Sequence, residues 1–343
     1  MMHRRVTMKD LAHETGLTVA TVSRALSGKD KINAKTRERV REAAQRLQYQ
    51  PDPALARLAA WRWGGEPKTR AGTVLAYLSD SLPLADYMRH RVQGTRRRAS
   101  ELGYSLESFA LSELDGNVRR LADVLHARGI EGVVVERICH PRSFDGFPWE
   151  DFSAISCGLG EEQLPIPTVT NDTFAAVRMN WGQARARGYR RIGLVLSFGG
   201  SQPDPYFRML GAAKLEQFQA GKEEFEIPPL ILPGSQANRD TLSLLLNWLA
   251  EHQPDVVIGN VFIFECLGKA GIHCPSDLAF ACFALRHDSL SFISGSRVYL
   301  QAVGALAVDL CHLELQHPNR HQQPSVLHFV EPEWREGETL PLL

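Results

Sequence analysis

The sequence is poor in the residues and motifs that mark disulfide-rich, metal-binding and membrane-spanning proteins. Its 343 residues include only six cysteines, none of them in a Cys-x-x-Cys pair, so neither a disulfide framework nor a zinc site is indicated. No apolar run approaches the length of a membrane span. The opening residues MMHRRVTMKDLAHE contain no apolar core of a signal peptide. We therefore expect a cytoplasmic protein without metal, cofactor or membrane association.

Motifs for catalysis are also missing. The segment SFGGSQ at 197–202 follows an apolar run, but it lacks the Gly-x-x-x-x-Gly-Lys pattern of a phosphate-binding loop. We find neither a nucleophile motif nor a convincing pair of carboxylates. An enzyme is therefore not expected.

The charge of the chain is unevenly distributed, although the formal net charge is zero. Residues 1–62 contain 13 basic and 6 acidic residues, a net charge of +7, so the remainder carries −7. A basic head on an acidic body is the asymmetry expected when only the head meets a polyanion. A solvated basic face is the alternative, and charge alone does not decide between them.

Three short helices are predicted in the basic head. The first helix lies in VTMKDLAHETG. Thr7 can cap its N-terminus, and Gly16 can form a tight turn after its last residue. Thr18 can cap the second helix, which has the sequence VATVSRALSG. Asn33 can cap the third helix, which has the sequence AKTRERVREAAQRLQY. Helices this short can bury only a very small core.

The second helix offers little apolar surface to its own domain. Val22 and Leu26, four residues apart, form its only apolar stripe. The residues left to face outward are Thr18, Val19, Ala20, Thr21, Ser23 and Arg24. Hydroxyls suit DNA phosphates, an arginine suits a guanine edge, and small apolar side chains suit a thymine methyl. We therefore predict a helix that enters the major groove; a small helical cap with a solvated face is the alternative.

The stretch TMKDLAHETGLTVATVSRALSGKDKINAKTRERVREAAQRLQYQP closely resembles the N-terminal signature of the lactose/galactose repressor (LacI/GalR) family. The resemblance implies a transcriptional regulator, usually a repressor, that binds a palindromic double-stranded DNA operator as a homodimer or higher homo-oligomer. It also implies a small-molecule effector, carbohydrate-related in this family, bound in a cleft between two subdomains.

Residue by residue, the resemblance places the principal base readers at Val19 and Ala20 and the family's arginine at Arg24. It places a hinge helix in PDPALARL, where Leu58 matches a leucine that wedges into the minor groove. Leu55 stands where most members carry alanine. The DNA contacts expected in full are Thr7, Thr18, Val19, Ala20, Thr21, Ser23, Arg24, Lys31, Asn33, Leu55 and Leu58.

From residue 73 onward, apolar strand-like runs alternate with helical stretches, which is typical of parallel sheets covered on both faces. The predicted strands lie in TVLAYLS, YSLESFAL, EGVVVER, FSAISC, RIGLVLS, PLILP, DVVIGN and LAFACFA. The predicted helices span roughly 85–102, 118–128, 173–187, 204–219, 240–252 and 261–270. There are too many units for one modest sheet, so we predict two doubly wound subdomains with a cleft between them.

The predicted fold is therefore α/β, with an N-terminal three-helix helix-turn-helix headpiece and two doubly wound subdomains; the family resemblance makes these subdomains the periplasmic-binding-protein type. The predicted domains are a headpiece at 1–50, a hinge helix and linker at 51–70, and an effector-binding and dimerisation domain at 71–343. Its first subdomain comprises 71–188 plus 298–322, and its second 189–297 plus 323–343. The chain would thus cross between subdomains near Gly188, Arg297 and Gln323.

The resemblance is weaker around the expected effector site. It places Tyr87, Asp172, Arg208 and Asn260 at the cleft, but Val261, Ala284 and Leu285 stand where members commonly carry carboxylates. A buried hydroxyl needs a hydrogen-bond partner. We therefore expect an effector smaller or less polar than a free hexose, or none. The alternatives are a regulator of the same fold controlled by a protein partner or by no effector, and a sugar-binding transport protein.

Overall fold

The computed structural model describes residues 8–26, 33–47, 74–80, 86–138, 143–160, 163–198, 204–221, 225–234, 236–286, 290–316 and 325–343. The chain divides into two compact units, Met1–Thr69 and Arg70–Leu343. Each unit has its own core.

In the described residues of the first unit there are three helices, α1 (Met8–Thr15), α2 (Val19–Leu26) and α3 (Ala34–Arg46). The Thr18 Oγ1 accepts the Thr21 N–H at 3.2 Å, and the Asn33 Oδ1 accepts the Thr36 N–H at 2.8 Å, so both predicted caps are confirmed. Gly16 turns the chain between α1 and α2 with a φ of +58°, a conformation that glycine adopts without strain. The buried side chains of this small core are Leu11, Ala12, Val22, Ala25, Val40 and Ala43.

The described residues of the second unit form two six-stranded sheets. The first sheet has the order β11-β5-β4-β3-β1-β2 and is entirely parallel, with strands β1 (Val74–Ser79), β2 (Ser105–Ala110), β3 (Gly132–Glu136), β4 (Ser153–Cys157), β5 (Thr168–Asn171) and β11 (Leu327–Val330). The second has the order β12-β10-β9-β8-β6-β7, with β6 (Ile192–Phe198), β7 (Leu230–Pro233), β8 (Val256–Gly259), β9 (Ala279–Leu285), β10 (Gly295–Arg297) and β12 (Glu333–Arg335). Its edge strand β12 runs antiparallel to β10.

Helices separate the strands, as the alternating pattern predicts. They are α4 (Asp86–Glu101), α5 (Val118–Ala127), α6 (Thr173–Ala186), α7 (Asp204–Ala220), α8 (Arg239–His252), α9 (Val261–Lys269) and α10 (Leu300–Gln316). Short 3-10 turns span Leu111–Leu114 and Trp149–Asp151. All eight predicted strands and all six predicted helices of this unit are present. The structure also contains five elements that the sequence analysis did not predict: β5, β10, β11, β12 and α10.

Two of the predicted crossing points between the subdomains are wrong. Helix α6 packs in the core of the second sheet, where Trp181 lies with Ile192 and Val256, so the chain crosses at Asp172 and not near Gly188. Strand β11 pairs in parallel with β5 in the first sheet, so the last crossing lies between β11 and β12 and not near Gln323. In both cases the partner that buries the segment decides its subdomain, and that partner is distant in sequence.

The three crossings lie side by side and are joined by hydrogen bonds. The Asp172 N–H donates to the Val330 carbonyl at 3.0 Å, and the Tyr299 N–H donates to the Asn171 Oδ1 at 3.2 Å. The Tyr299 hydroxyl also donates to the Glu333 carboxylate. We refer to residues 171–173, 297–299 and 330–333 as the hinge.

Candidate DNA-binding helix and ligand cleft

The two faces of α2 differ sharply in burial. Val22 is fully buried and Ala25 is 1% exposed, whereas Val19 is 41% exposed. Ala25 therefore lies on the apolar stripe with Val22. The side chain of Leu26, which the sequence predicts on the same stripe, lies outside what the structure describes. A large apolar side chain held at the surface, at the start of a helix, is available to contact a partner outside the domain.

The hydroxyls at the start of α2 contact each other. The Thr18 and Thr21 Oγ1 atoms lie 2.8 Å apart, and Thr18 also caps the helix. Thr18 and Asn33 both lie exposed at the N-terminal ends of helices. Helix N-termini present backbone N–H groups and a positive dipole end, which favour a phosphate.

Several expected DNA contacts fall outside what the structure describes. Thr7, Lys31, Leu55 and Leu58 lie outside the described residues. The backbone of α2 includes Ala20, Ser23 and Arg24, but their side chains are not described. Their roles stay predictions from the sequence.

Asp172 and Asn260 each directly follow a strand of the second unit and cap the helix that comes next. Asp172 directly follows β5, and its Oδ1 accepts the Ala175 N–H at 3.0 Å at the start of α6. Asn260 directly follows β8, and its Oδ1 accepts the Ile263 N–H at 3.1 Å at the start of α9. Both lie where ligands bind in open α/β sheets, at the carboxyl ends of the strands. One oxygen of each side chain is already engaged in capping a helix.

Arg208 reaches from α7 of the second subdomain to a ring of the first. Its guanidinium carbon lies 4.5 Å from the centroid of Phe329 on β11. Its buried Nε has no hydrogen-bond partner among the described residues. A guanidinium stacked on a ring has a fixed plane, and its N–H groups suit a planar or tetrahedral anion.

Tyr206, two residues before Arg208, ties the start of α7 to the second sheet. Its hydroxyl donates to the Ser197 carbonyl at 2.7 Å. The Thr173 hydroxyl at the hinge donates to the Pro205 carbonyl at 3.4 Å. The N-terminal turn of α7 is thereby held between β6 and the hinge.

Two further arginines lie at the ends of strands in the two sheets. Arg137 directly follows β3 and Arg286 directly follows β9. Burial raises the pKa of the Tyr206 phenol, and the positive charges of Arg137 and Arg286 act in the opposite direction. Neither arginine was expected at the cleft, because a single arginine after an apolar run carries no distinguishing signal.

A buried ionic network supports the strand that carries Arg137. The Glu136 carboxylate accepts the Tyr77 hydroxyl at 2.5 Å, the Arg91 Nε–H at 3.2 Å and the Arg137 backbone N–H at 2.7 Å. Arg91 and Glu136 are only 5% and 1% exposed. The network joins residues 59 and 45 positions apart, so sequence patterning gives no sign of it.

The three apolar positions expected at the cleft divide into two kinds. Leu285 is fully buried in the core between the second sheet and its helices, so it cannot line a ligand site. Val261 and Ala284 are partly exposed. The side chain of Tyr87, the remaining expected effector contact, lies outside the described residues.

Metal ligands and membrane spans can be assessed for the described residues alone. Among these residues, no group of three or more His, Cys, Asp or Glu side chains is placed to hold a metal ion. Within the same part of the chain, no helix has both the length and the apolarity needed to cross a membrane.

Residues 7–52 match the model of bacterial regulatory proteins of the lacI family. The sucrose operon repressor of Escherichia coli is 27% identical over 288 residues, which span 79% of this chain and 82% of that protein. A helix-turn-helix-type transcriptional regulator of Mycobacterium tuberculosis is 36% identical over 209 residues, spanning 56% and 52% of the two chains. These relatives are named as regulators of transcription, not as enzymes.

Solved structures share the architecture. The transcriptional regulator CelR in complex with cellobiose has a TM-score of 0.61 at 17% identity, covering 98% of this chain and 100% of that one. The lac repressor dimer bound to operator and the anti-inducer ONPF has a TM-score of 0.59 at 16% identity, with the same coverage. At such identities the likeness concerns the fold, and the predicted fold class is confirmed.

Proposed function

We propose that the chain is a regulator of the lacI family, whose model its residues 7–52 match, and that it represses transcription by binding a palindromic DNA operator as a homodimer. The observation that carries the proposal is the difference in burial between the two faces of α2. Its inner face fills the headpiece core through Val22, while Val19 is exposed. The +7 charge of residues 1–62 supports the same surface.

In the proposed complex, α2 lies in the major groove, with Val19 and Ala20 on base edges and Arg24 on a guanine. Thr7, Thr18, Thr21, Ser23, Lys31 and Asn33 contact the backbone. Leu58, with Leu55 beside it, enters the minor groove. Bending the duplex in this way lets it contact more protein, which offsets the cost of unstacking.

Fluorescence anisotropy with an operator selected from random DNA by the full chain tests this proposal. Arg24→Ala should weaken operator binding by about 1–3 kcal/mol and relax the preference at one base pair per half-site. Arg41→Ala is the matched control, because it removes the same charge from an exposed position in the middle of α3. It should have a smaller effect that does not depend on the DNA sequence.

Two outcomes would contradict the proposal. Equal weakening by Arg24→Ala on operator and random DNA would reassign this residue to a phosphate contact. A log–log salt dependence with a slope near zero would exclude a headpiece that releases counterions from DNA.

We further propose that a small molecule binds in the cleft at Asp172, Arg208 and Asn260, with Tyr87 beside it, and alters operator affinity. Support comes from Asp172 and Asn260, which lie at the carboxyl ends of strands from the two sheets, and from the Arg208 Nε, which has no hydrogen-bond partner among the described residues. The runner-up is a regulator without a small-molecule effector, favoured by the capping roles of Asp172 and Asn260. A thermal-shift screen with metabolites, repeated on Arg208→Ala, separates the two, because only a cleft ligand loses its effect in the variant.

A further inference from the structure

A cavity in the first subdomain lies at the opposite edge of the sheet from the cleft. It has a volume of about 360 Å³, which is large enough for a small molecule. Phe152 directly precedes β4, Pro167 directly precedes β5 and Val326 directly precedes β11, and all three line the cavity. Because these strands are parallel, the cavity lies at their amino ends, whereas Asp172 follows the carboxyl end of β5. We refer to it as the distal cavity.

Each of the three segments that cross between the subdomains contributes to the wall of the distal cavity. Pro167 leads into β5, Leu310 lies on α10 and His328 lies on β11. Strands β5 and β11 both end in the hinge, and α10 begins directly after it. A ligand in the distal cavity would touch all three segments at once. Its contacts would therefore change if these segments moved relative to one another when the hinge opens.

Most residues that line the distal cavity are apolar, and part of the wall is open to solvent. Leu313 and Val326 are 45% and 43% exposed. The Trp149 ring also lines the cavity, and neighbouring rings hold it in place: its centroid lies 4.4 Å from that of Phe147 and 5.6 Å from that of Phe144. A ring fixed in this way offers a flat apolar surface to an aromatic ligand.

The charged side chains of the distal cavity are acidic. Glu150 and Glu314 line it, and among the described residues of its wall none is a lysine or an arginine. Glu150 directly follows Trp149, so a carboxylate and an indole ring come from adjacent residues. A cation gains from both groups, through the carboxylate charge and through the face of the ring. An anion would be repelled by the carboxylates.

We propose that the distal cavity is a second small-molecule site, that its ligand is an aromatic amine, and that binding there is coupled to the hinge. The aromatic ring packs against Trp149 and Leu313, and the ammonium group lies near the Glu150 carboxylate. Binding itself does not depend on the proposed regulatory function, whereas its effect on DNA rests on that function. A ligand that binds one arrangement of the hinge better than the other shifts the equilibrium between them.

The first test compares three molecules of similar size that differ in charge: 2-phenylethylamine, 2-phenylethanol and phenylacetate. Each is titrated into the full chain by calorimetry and by ligand-observed NMR. We expect the amine to bind more tightly than the alcohol, and the acid to bind most weakly. The inference would be overturned if the alcohol or the acid bound as tightly as the amine, or if none of the three bound.

Variants then locate the bound amine. Glu150→Gln should weaken binding of the amine about 2-fold to 5-fold, the range for an ion pair near the surface, and leave binding of the alcohol unchanged. Its matched control is Glu113→Gln, an exposed glutamate in the other 3-10 turn, which should affect neither. Leu313→Ala should weaken binding of both molecules, because it removes part of the apolar wall. Circular dichroism checks that each variant is folded. Amine binding that is indifferent to both Glu150→Gln and Leu313→Ala would overturn the inference.

The coupling to the hinge is tested by operator binding on the same samples, with and without 2-phenylethylamine. At saturating amine we expect the operator affinity to change by about 5-fold or more, as is usual for coupled sites. An unchanged operator affinity at saturation would overturn the coupling. If the wild-type chain bound no operator, the proposed function would be rejected, while the calorimetry and NMR would still decide whether the distal cavity binds the amine.

Discussion

Replacing Asp172 should separate its structural role from a role in ligand binding. Its Oδ1 accepts the Ala175 N–H at 3.0 Å, so Asp172→Ala removes the cap of α6. The lost cap costs about 0.5–2 kcal/mol, and the lost carboxylate at the helix N-terminus about 0.3–1 kcal/mol more. Asp172→Asn keeps an acceptor oxygen at the same position, so it should cost only the second amount.

The assay is urea unfolding followed by circular dichroism, together with thermal unfolding. A loss of 1 kcal/mol lowers the Tm of a domain of about 150–250 residues by about 2–4 °C. The matched control is Asp123→Ala on α5, an exposed aspartate whose removal should change stability by less than about 0.5 kcal/mol. If Asp172→Asn were as destabilising as Asp172→Ala, capping would not be its structural role. If the carboxylate also contacts the ligand, both variants should lose the response to it.

Three further perturbations test the packing, the thiols and the acid stability of the second unit. Gly304→Ala should destabilise the unit by about 1–3 kcal/mol in urea unfolding, because a Cβ there would overlap the Arg91 carbonyl where α10 meets α4; unchanged stability would mean that the helices separate freely. Cys282 and Cys311 should react with a maleimide only after denaturation, as mapped by mass spectrometry, because burial raises the pKa of each thiol to about 12; labelling of the native protein would contradict their burial. The hydrogen bond from the Trp334 indole, together with Arg187, lowers the pKa of Glu336. Its stabilisation, less than about 1 kcal/mol for so exposed a group, should therefore be present above the ordinary glutamate pKa of 4.5 and lost as the pH falls through the lowered value. Glu336→Gln should remove this part of the acid dependence, and an unchanged pH profile of the unfolding free energy would exclude it.

Local sequence signals were sufficient to predict the helices of the headpiece and most strands of the two sheets. The caps at Thr18 and Asn33 and the turn at Gly16 act within a few residues of themselves, so the sequence displays them directly. The eight predicted strands are continuous apolar runs because both of their faces are covered. The missed strands β5, β10, β11 and β12 contain only three or four residues each, too few to establish a period.

Tertiary partners decided what the local pattern could not. Helix α10 buries six residues, Leu300, Val303, Gly304, Ala307, Val308 and Cys311, so its apolar surface is too broad for a clear amphipathic stripe. The crossing points depend on which sheet α6 packs against and which sheet β11 pairs with. Leu285 points into the core because successive side chains of a strand, here β9, point to opposite faces of the sheet. Arg208 and Phe329 come together only through the arrangement of α7 and β11, which are distant in sequence.

The position of Arg208 limits how a cleft ligand can act on the rest of the unit. Its guanidinium lies on Phe329, one residue before Val330, whose carbonyl accepts the Asp172 N–H at the hinge. A ligand that bound Arg208 equally well in every arrangement of the subdomains would shift no equilibrium, however tightly it bound. A regulatory ligand must therefore contact Arg208 and a group of the first subdomain at once, and lose one of these contacts when the hinge opens. Each tenfold preference for one arrangement corresponds to about 1.4 kcal/mol, the size of one charge-assisted hydrogen bond. A single such contact on the opposite subdomain would therefore be enough to couple ligand binding to hinge closure.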